Sequence, residues 1–500
     1  MLRFLYDYII IFTIFYIIMS YQYVIVGAGP VGLTLAWLLS QSPKTGPNGI
    51  LIIEREHSIG GCHRVRRHQN FFTEHGPRVY SNIYLNTIQI LNEMEIPFNK
   101  VFTPYNFSNN SMSSIIISKL SIRENLLLML EYFKLALNPL HGQNTSVADF
   151  ITANNYSNDS RDLLNRVCRL TDGASIDRYT LFELLSGFDQ HVFYQFAQPR
   201  RPNDVYLFSM WRTKLEATGK VEFLLNTMVN KVNMEINSNI ANHHNKVTGV
   251  NIHNGNGSYD ILAPTVILAI PPKPVAKILR GLSWNGRNLD QFAKASEYET
   301  NIPVVFHWNK KLVLPKIWGF PSSEWGVISI LLSDYTQFDD SRSQTVISTC
   351  ITLTDTVSSV THKTANQTTK KQELIDEVFR QLSHLYGGLP TPTIAILSPD
   401  IYRDAGGKWV GSDTAFVLTP ESGFIADQSH RGIKGLHWVG THNGKSYYHF
   451  TSMESAVTNA MAFCNRELHK PLNLSKIVRY LIATICVILL CVVYFRYKNK

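Results

Sequence analysis

A glycine-rich turn close to the start of the chain is the feature that most constrains its fold. Residues Tyr21 to Glu54 read as strand, turn, helix and second strand. An apolar run from Tyr23 to Val26 leads into Gly27-Ala28-Gly29-Pro30-Val31-Gly32; a helical stretch then runs to Leu39, and Ile50 to Ile53 is closed by Glu54. Gly27 lets the chain turn tightly out of the strand, Gly29 has no Cβ to keep a pyrophosphate from the backbone, and Gly32 lets the helix pack closely on the sheet. The helix start, with Pro30 and Val31 in its first turn, offers free N–H groups and a positive dipole end to that pyrophosphate. Glu54 stands at the tip of the second strand, where a carboxylate accepts hydrogen bonds from both hydroxyls of an unphosphorylated ribose. The expectation is an α/β chain built on a Rossmann-like, dinucleotide-binding domain.

The sequence just beyond narrows the dinucleotide. Glu54 is followed by Arg55, Glu56, His57, Ser58 and Ile59, then by Gly60-Gly61 with Cys62, His63 and Arg64 behind. With this second glycine pair the chain resembles the FAD-dependent amine oxidase superfamily, which includes protoporphyrinogen oxidases and phytoene desaturases and lies near the UDP-galactopyranose mutases. The resemblance implies that Glu54, Arg55, Gly60 and Gly61 line FAD. It also implies that Cys62 occupies the place where the superfamily usually has an arginine, with Arg64, Arg66 or Arg67 as substitutes. The segment Glu74-His75-Gly76-Pro77-Arg78-Val79-Tyr80 is similar to the glycine-proline turn these enzymes place near the flavin, which assigns Gly76, Pro77 and Arg78 to the cofactor. Its form is closest to the mutases.

Far along the chain, Gly435 to Gly440 is a strand ending in glycine, and Met453-Glu454-Ser455-Ala456-Val457 opens an Ala-rich helix. This pair resembles the C-terminal flavin motif of the same superfamily, whose helix N-terminus faces the flavin pyrimidine. By that resemblance Gly440, Met453 and Ala456 are FAD contacts, and Val229 is a contact on the adenine side. The loop from Thr441 to Ser452 holds Tyr447 and Tyr448, the candidate catalytic residues, since the superfamily places an aromatic from this neighbourhood against the flavin face. Two features depart from monoamine oxidases. No cysteine occurs between Cys350 and Cys464, so the FAD is expected to be non-covalent, and Tyr298 to Val305 contains no lysine.

Five hundred residues exceed one hydrophobic core, and a composition of 45% hydrophobic and 17% charged residues is globular. The expected division is a discontinuous FAD-binding domain (20–81, 205–275 and 431–467) carrying an inserted α+β substrate domain (82–204 and 276–430). The formal charge of +9 has no long basic run behind it. It suits a membrane surface and cofactor phosphates better than nucleic acid. Six scattered cysteines show neither metal-ligand spacing nor a disulfide framework. Residues 1–19 are apolar, and a signal-anchor, a membrane-embedded lead and a dispensable extension all fit them. Residues 478–496 contain an uncharged apolar run from Tyr480 to Phe495 bracketed by Arg479 and Arg496, the pattern of a C-terminal transmembrane anchor.

These features together point to a membrane-tethered, FAD-dependent oxidoreductase of amine oxidase type, acting on a C–N or C–H bond of a small-molecule substrate. Two rival readings stay open: a flavin-dependent isomerase like UDP-galactopyranose mutase, with Arg200 and Arg201 gripping a diphosphate, and a flavoprotein scaffold without turnover.

Overall fold

The computed structural model describes residues 20–105, 116, 118–188, 195–235, 245–298, 301–315, 322–412, 416–446, 452–471, 477 and 481. The apolar segment 1–19 lies outside them, as does all of 478–496 except Leu481. Among the described residues no helix is long and apolar enough to cross a membrane.

The runs YVIV and ILII are almost entirely buried, the condition of central strands covered on both faces. They lie side by side in a five-stranded parallel sheet, in the order Leu436–Trp438, Val266–Leu268, Tyr23–Val26, Ile50–Ile53, Val221–Leu224. Val24 is in register with both Val266 and Leu51, and Val266 with Leu436. Alternate side chains then serve two cores. Ile25, Ile50 and Ile52 face the helices Pro30–Ser40, Leu207–Glu216 and Met453–Phe463. Val24, Val26, Leu51 and Ile53 face an antiparallel unit of Met228–Glu235, Asn245–Asn254 and Gly257–Leu262.

The second half of the molecule is an antiparallel sheet ordered Val327–Leu331, Thr345–Ile351, Ile302–Trp308, Ile394–Leu397. The helix Lys371–Leu385 covers it with Leu374, Val378 and Leu382, all fully buried. A helical group forms a further core from Ile122–Leu137, Val147–Ala153, Asn158–Asp172 and Leu181–Gly187. Ser121, Ser146, Ser157 and Thr180 cap these four helices, each accepting a bond from the amide three residues on.

Packing redraws part of the expected division. Trp284, Leu289, Phe292, Phe416, Leu418 and Ile425, from the stretch assigned to the substrate domain, join the core under the dinucleotide sheet. The cause is Trp438, on whose ring Trp284 and Phe292 stand edge-on at 5.6 and 5.9 Å. The strand Val266–Leu268 is followed closely by the helix Pro272–Ile278, with Pro272 in a first-turn position that suits a residue without an N–H.

Candidate functional site

The two glycine turns interlock. Gly27 has φ +107°, and a Cβ on it would meet the Ala269 carbonyl oxygen at 2.7 Å. A Cβ on Gly32 would stand 1.9 Å from the Gly27 carbonyl oxygen, whereas one on Gly29 would meet nothing closer than the Gly61 Cα at 3.6 Å. The Gly60 N–H donates to the Ala28 carbonyl at 2.8 Å, which holds the second turn against the first. Gly60 and Gly61 both have positive φ, +118° and +56°, a backbone that L side chains resist.

The first intrahelical bond runs from the Leu33 N–H to the Gly29 carbonyl at 3.0 Å. The amides of Val31 and Gly32, just inside the helix start, are therefore left for an outside acceptor. No side chain caps this helix and its first turn carries no acid, so the positive end is open to an anion. The helix Met453–Phe463 packs beside it, with Met453 and Ala456 buried in the same core as Val31 and Leu35. Gly440 ends the outer strand, its N–H donating to Asn443 Oδ1 at 2.9 Å. A Cβ there would stand 2.7 Å from His442 Nδ1.

Glu54 is buried at the end of its strand. It accepts from the Ala28 N–H at 2.9 Å and the Glu56 N–H at 3.1 Å, and pairs with Arg64 at 3.1 Å. An ionised carboxylate has about four acceptor positions, so capacity for a ribose remains. Arg64 is committed to Glu54 and the Ser58 carbonyl. Arg66 pairs with Glu56, and Arg67 with Asp204. The guanidinium that reaches the turn after Gly60-Gly61 is that of Arg78, which donates to the Cys62 carbonyl at 2.6 Å. Arg55, by contrast, turns to the Ser412 carbonyl at 2.6 Å. Val229 is buried on its strand two residues after Thr227, whose N–H donates to the Glu54 carbonyl at 2.9 Å. Tyr447 and Tyr448 lie outside the described residues.

Residues 74–80 bridge this cradle to the second sheet. Gly76 is packed against the strand Thr345–Ile351, and a Cβ on it would be 3.7 Å from Cys350 Sγ; Pro77 lies between it and Arg78. His307, on the neighbouring strand, bonds the Phe72 carbonyl at 2.8 Å. The ionisable groups of Glu74, His75, Arg78, Asp400, His63 and Tyr80 meet here without having been picked out as a set from the sequence. Burial pushes the Glu74 carboxyl up to about 7, against the opposing pull of Ser348, Arg78 and His75. Burial also acts on Asp400, but the bonds from His75 and Ser398 outweigh it and hold that carboxyl at about 2. Burial, then Arg78 and His75, keeps the His63 imidazole well below its usual range, and His63 Nδ1 lies 3.2 Å from the Tyr80 hydroxyl. Glu74 and His75 stand in the quoted segment, but Asp400 and Ser348 come from hundreds of residues away and carry no local signal.

The arginines that a diphosphate-binding isomerase would use are engaged elsewhere. Arg200 donates to the carbonyls of Asn99 and Phe102, and Arg201 faces Asp339 at 3.5 Å on the surface.

Comparison with known proteins gives the class first. Residues 25–94 match the NAD(P)-binding Rossmann-like domain family, the stretch that holds both glycine turns and Glu54. No curated protein sequence matches the chain. Among solved structures, an oxidoreductase from Methanosarcina mazei covers 90% of this chain and 100% of its own at 15% identity, with a TM-score of 0.57. Wild-type putrescine oxidase bound to putrescine covers 89% and 98% at 16% identity, with a TM-score of 0.59. Cyclohexylamine oxidase from Brevibacterium oxydans covers 89% and 98% at 13% identity, with a TM-score of 0.57. The chain therefore has the two-part fold of these oxidoreductases over nearly its whole length, the fold that the sequence resemblance implies.

Proposed function

We propose that this chain is a membrane-tethered, FAD-dependent oxidoreductase of amine oxidase type, acting on a C–N or C–H bond of a small substrate. The observation that carries the proposal is the interlocked pair of glycine turns beneath an uncapped helix start. It is a groove that a Cβ at Gly29 or Gly61 would fill, with Arg78 beside it and Glu54 at its far end. Gly29, Val31, Gly32, Gly60, Gly61 and Arg78 would hold the pyrophosphate, Glu54 the ribose, and Gly440, Met453 and Ala456 the flavin end. When bound, FAD supplies the two-electron acceptor that the protein's own side chains lack.

The polar junction does the rest. Glu74, its carboxyl raised by burial to about 7, would take up the proton that an ammonium substrate sheds before its C–N bond is oxidised. Arg78, bonded to the Cys62 carbonyl, and Asp400, facing His75 at 3.8 Å, would hold the segment 75–78 in place. The apolar segment 478–496 anchors the chain, with Tyr447 and Tyr448 close to the flavin face.

The test is the visible spectrum of the full-length protein in detergent, before and after acid precipitation, followed by addition of primary amines. The proposal expects yellow protein that releases its flavin into the supernatant, bleaches with an amine and yields peroxide in air. Colourless protein that takes up no added FAD would overturn it.

A further inference from the structure

The helix Ile122–Leu137 has two apolar faces, and only one of them is used. Leu128, Tyr132, Leu135 and Ala136 are buried against the helical core. On the other side Ile122, Leu126, Met129, Leu130, Phe133 and Leu137 are between 42% and 83% exposed, and Leu140, in the turn beyond, is 58% exposed. At about 100° per residue these six helical positions fall within a sector roughly 100° wide. They form one continuous stripe along the whole helix, not isolated surface residues. A helix apolar all round belongs inside a protein or against another apolar phase.

The charges around the stripe say which phase. The exposed ionisable residues from Lys119 to Leu140 are Lys119, Arg123 and Lys134, all basic. The two acids of the helix are withdrawn: Glu124 is buried in its capping box, and Glu131 is tied to Lys134 at 2.6 Å and His141 at 2.5 Å. Arg123 and Lys134 follow the apolar sector on one side of the helix, where long basic stems reach phosphate headgroups. A second copy of the chain would set the same basic rim against itself and oppose two molecules each of formal charge +9. The sequence beyond the described residues supplies an independent reason for a bilayer nearby: the uncharged run from Tyr480 to Phe495.

We infer that the outer face of Ile122–Leu137 lies in the surface of an anionic lipid bilayer, parallel to it, as a second attachment besides the C-terminal segment. The apolar side chains enter the headgroup boundary and Lys119, Arg123 and Lys134 contact lipid phosphates. The inference does not depend on flavin chemistry. Its consequence is orientation: a single tail leaves the catalytic part free to tumble on its tether, whereas a second contact fixes one side of the substrate domain to the membrane.

The test uses the full chain reconstituted into vesicles of phosphatidylcholine and phosphatidylserine, with an environment-sensitive fluorescent amino acid placed at Leu130 or, as a control, at exposed Met228. Spin-labelled lipid is expected to quench the probe at 130 several-fold more than that at 228. The double substitution Leu126→Asp with Leu137→Asp should reduce quenching at 130 to the control level while the protein still floats with the vesicles. Equal weak quenching at both positions in floating protein would overturn the inference. So would a probe at 130 already shielded in detergent: in favour of a second copy if the shielding rises with protein concentration, and of another segment of this chain if it does not.

Discussion

A Cβ at Gly32 would lie 1.9 Å from the Gly27 carbonyl oxygen, and no rotamer relieves a clash between two backbones. Gly32→Ala must push the helix start away from the turn and displace the amides of Val31 and Gly32 that are proposed to face the cofactor. The expected result is a loss of flavin affinity of roughly 100-fold or more, read by titrating the apoprotein with FAD. At Glu74 the prediction concerns pH. Its folded carboxyl titrates at about 7, above its usual value, so the native state holds a proton that the unfolded chain releases. The stability this gives is fully present at low pH and is lost as pH rises through 7. Glu74→Gln cannot lose that proton. Its melting temperature should therefore gain on the parent between pH 5 and pH 8, by an amount reflecting on the order of 2 kcal/mol, and equal gaps at both pH values would contradict the assignment. These two residues also mark what was legible. The glycines announce themselves by spacing, because backbone geometry is local. The charge state of Glu74 rests on burial by distant elements, opposed by Ser348, Arg78 and His75, and which guanidinium sits by Cys62 is a tertiary matter: Arg64, Arg66 and Arg67 are nearer in sequence, but Glu54, Glu56 and Asp204 take them.

At the scale of elements, buried β-branched runs and helical stripes were readable wherever a single face repeats. The strands Tyr23–Val26 and Ile50–Ile53 stand where the apolar runs put them. What periodicity did not reveal is how one element ends another. Glu454, in the first turn of the helix Met453–Phe463, accepts from the Asn86 N–H at 3.0 Å, the Thr87 N–H at 2.9 Å and the Thr87 hydroxyl at 2.8 Å. It thereby caps the helix Leu85–Glu93, whose own preceding residue, Tyr84, makes no side-chain cap. Burial raises its carboxyl, and the Asn86 and Thr87 bonds oppose the rise. Glu454→Ala removes the acceptor from buried amides and should cost about 2 kcal/mol, with a lower urea midpoint. Glu454→Gln, which retains one acceptor oxygen, should cost less.

At the scale of the molecule, the proposed cofactor groove draws on residues from both the first and the last part of the described chain, which would couple occupancy to folding. Flavin at roughly 100 times its dissociation constant should stabilise the protein by about 2.7 kcal/mol. The melting temperature should rise with added FAD in the parent and stay flat in Gly32→Ala. The parallel sheet was legible because the glycine turns and the strand Leu436–Trp438 mark its members. The allegiance of Trp284 and Phe292 was not, since it depends on one ring, Trp438, more than a hundred residues further on.

The same sheet has a consequence for how the protein is made. Its strands Tyr23–Val26 and Ile50–Ile53 leave the ribosome before their outer neighbours, which come from residues 266–268 and 221–224. At roughly 5 to 20 residues per second, the wait between Glu54 and Leu268, when both strands can first be flanked on both sides, is on the order of ten seconds or more. Throughout that interval two of the most apolar strands in the chain have open edges, the condition in which such segments pair with the wrong partner. The nascent chain is thus most dependent on a chaperone, or on a nearby membrane, before the groove for its cofactor exists.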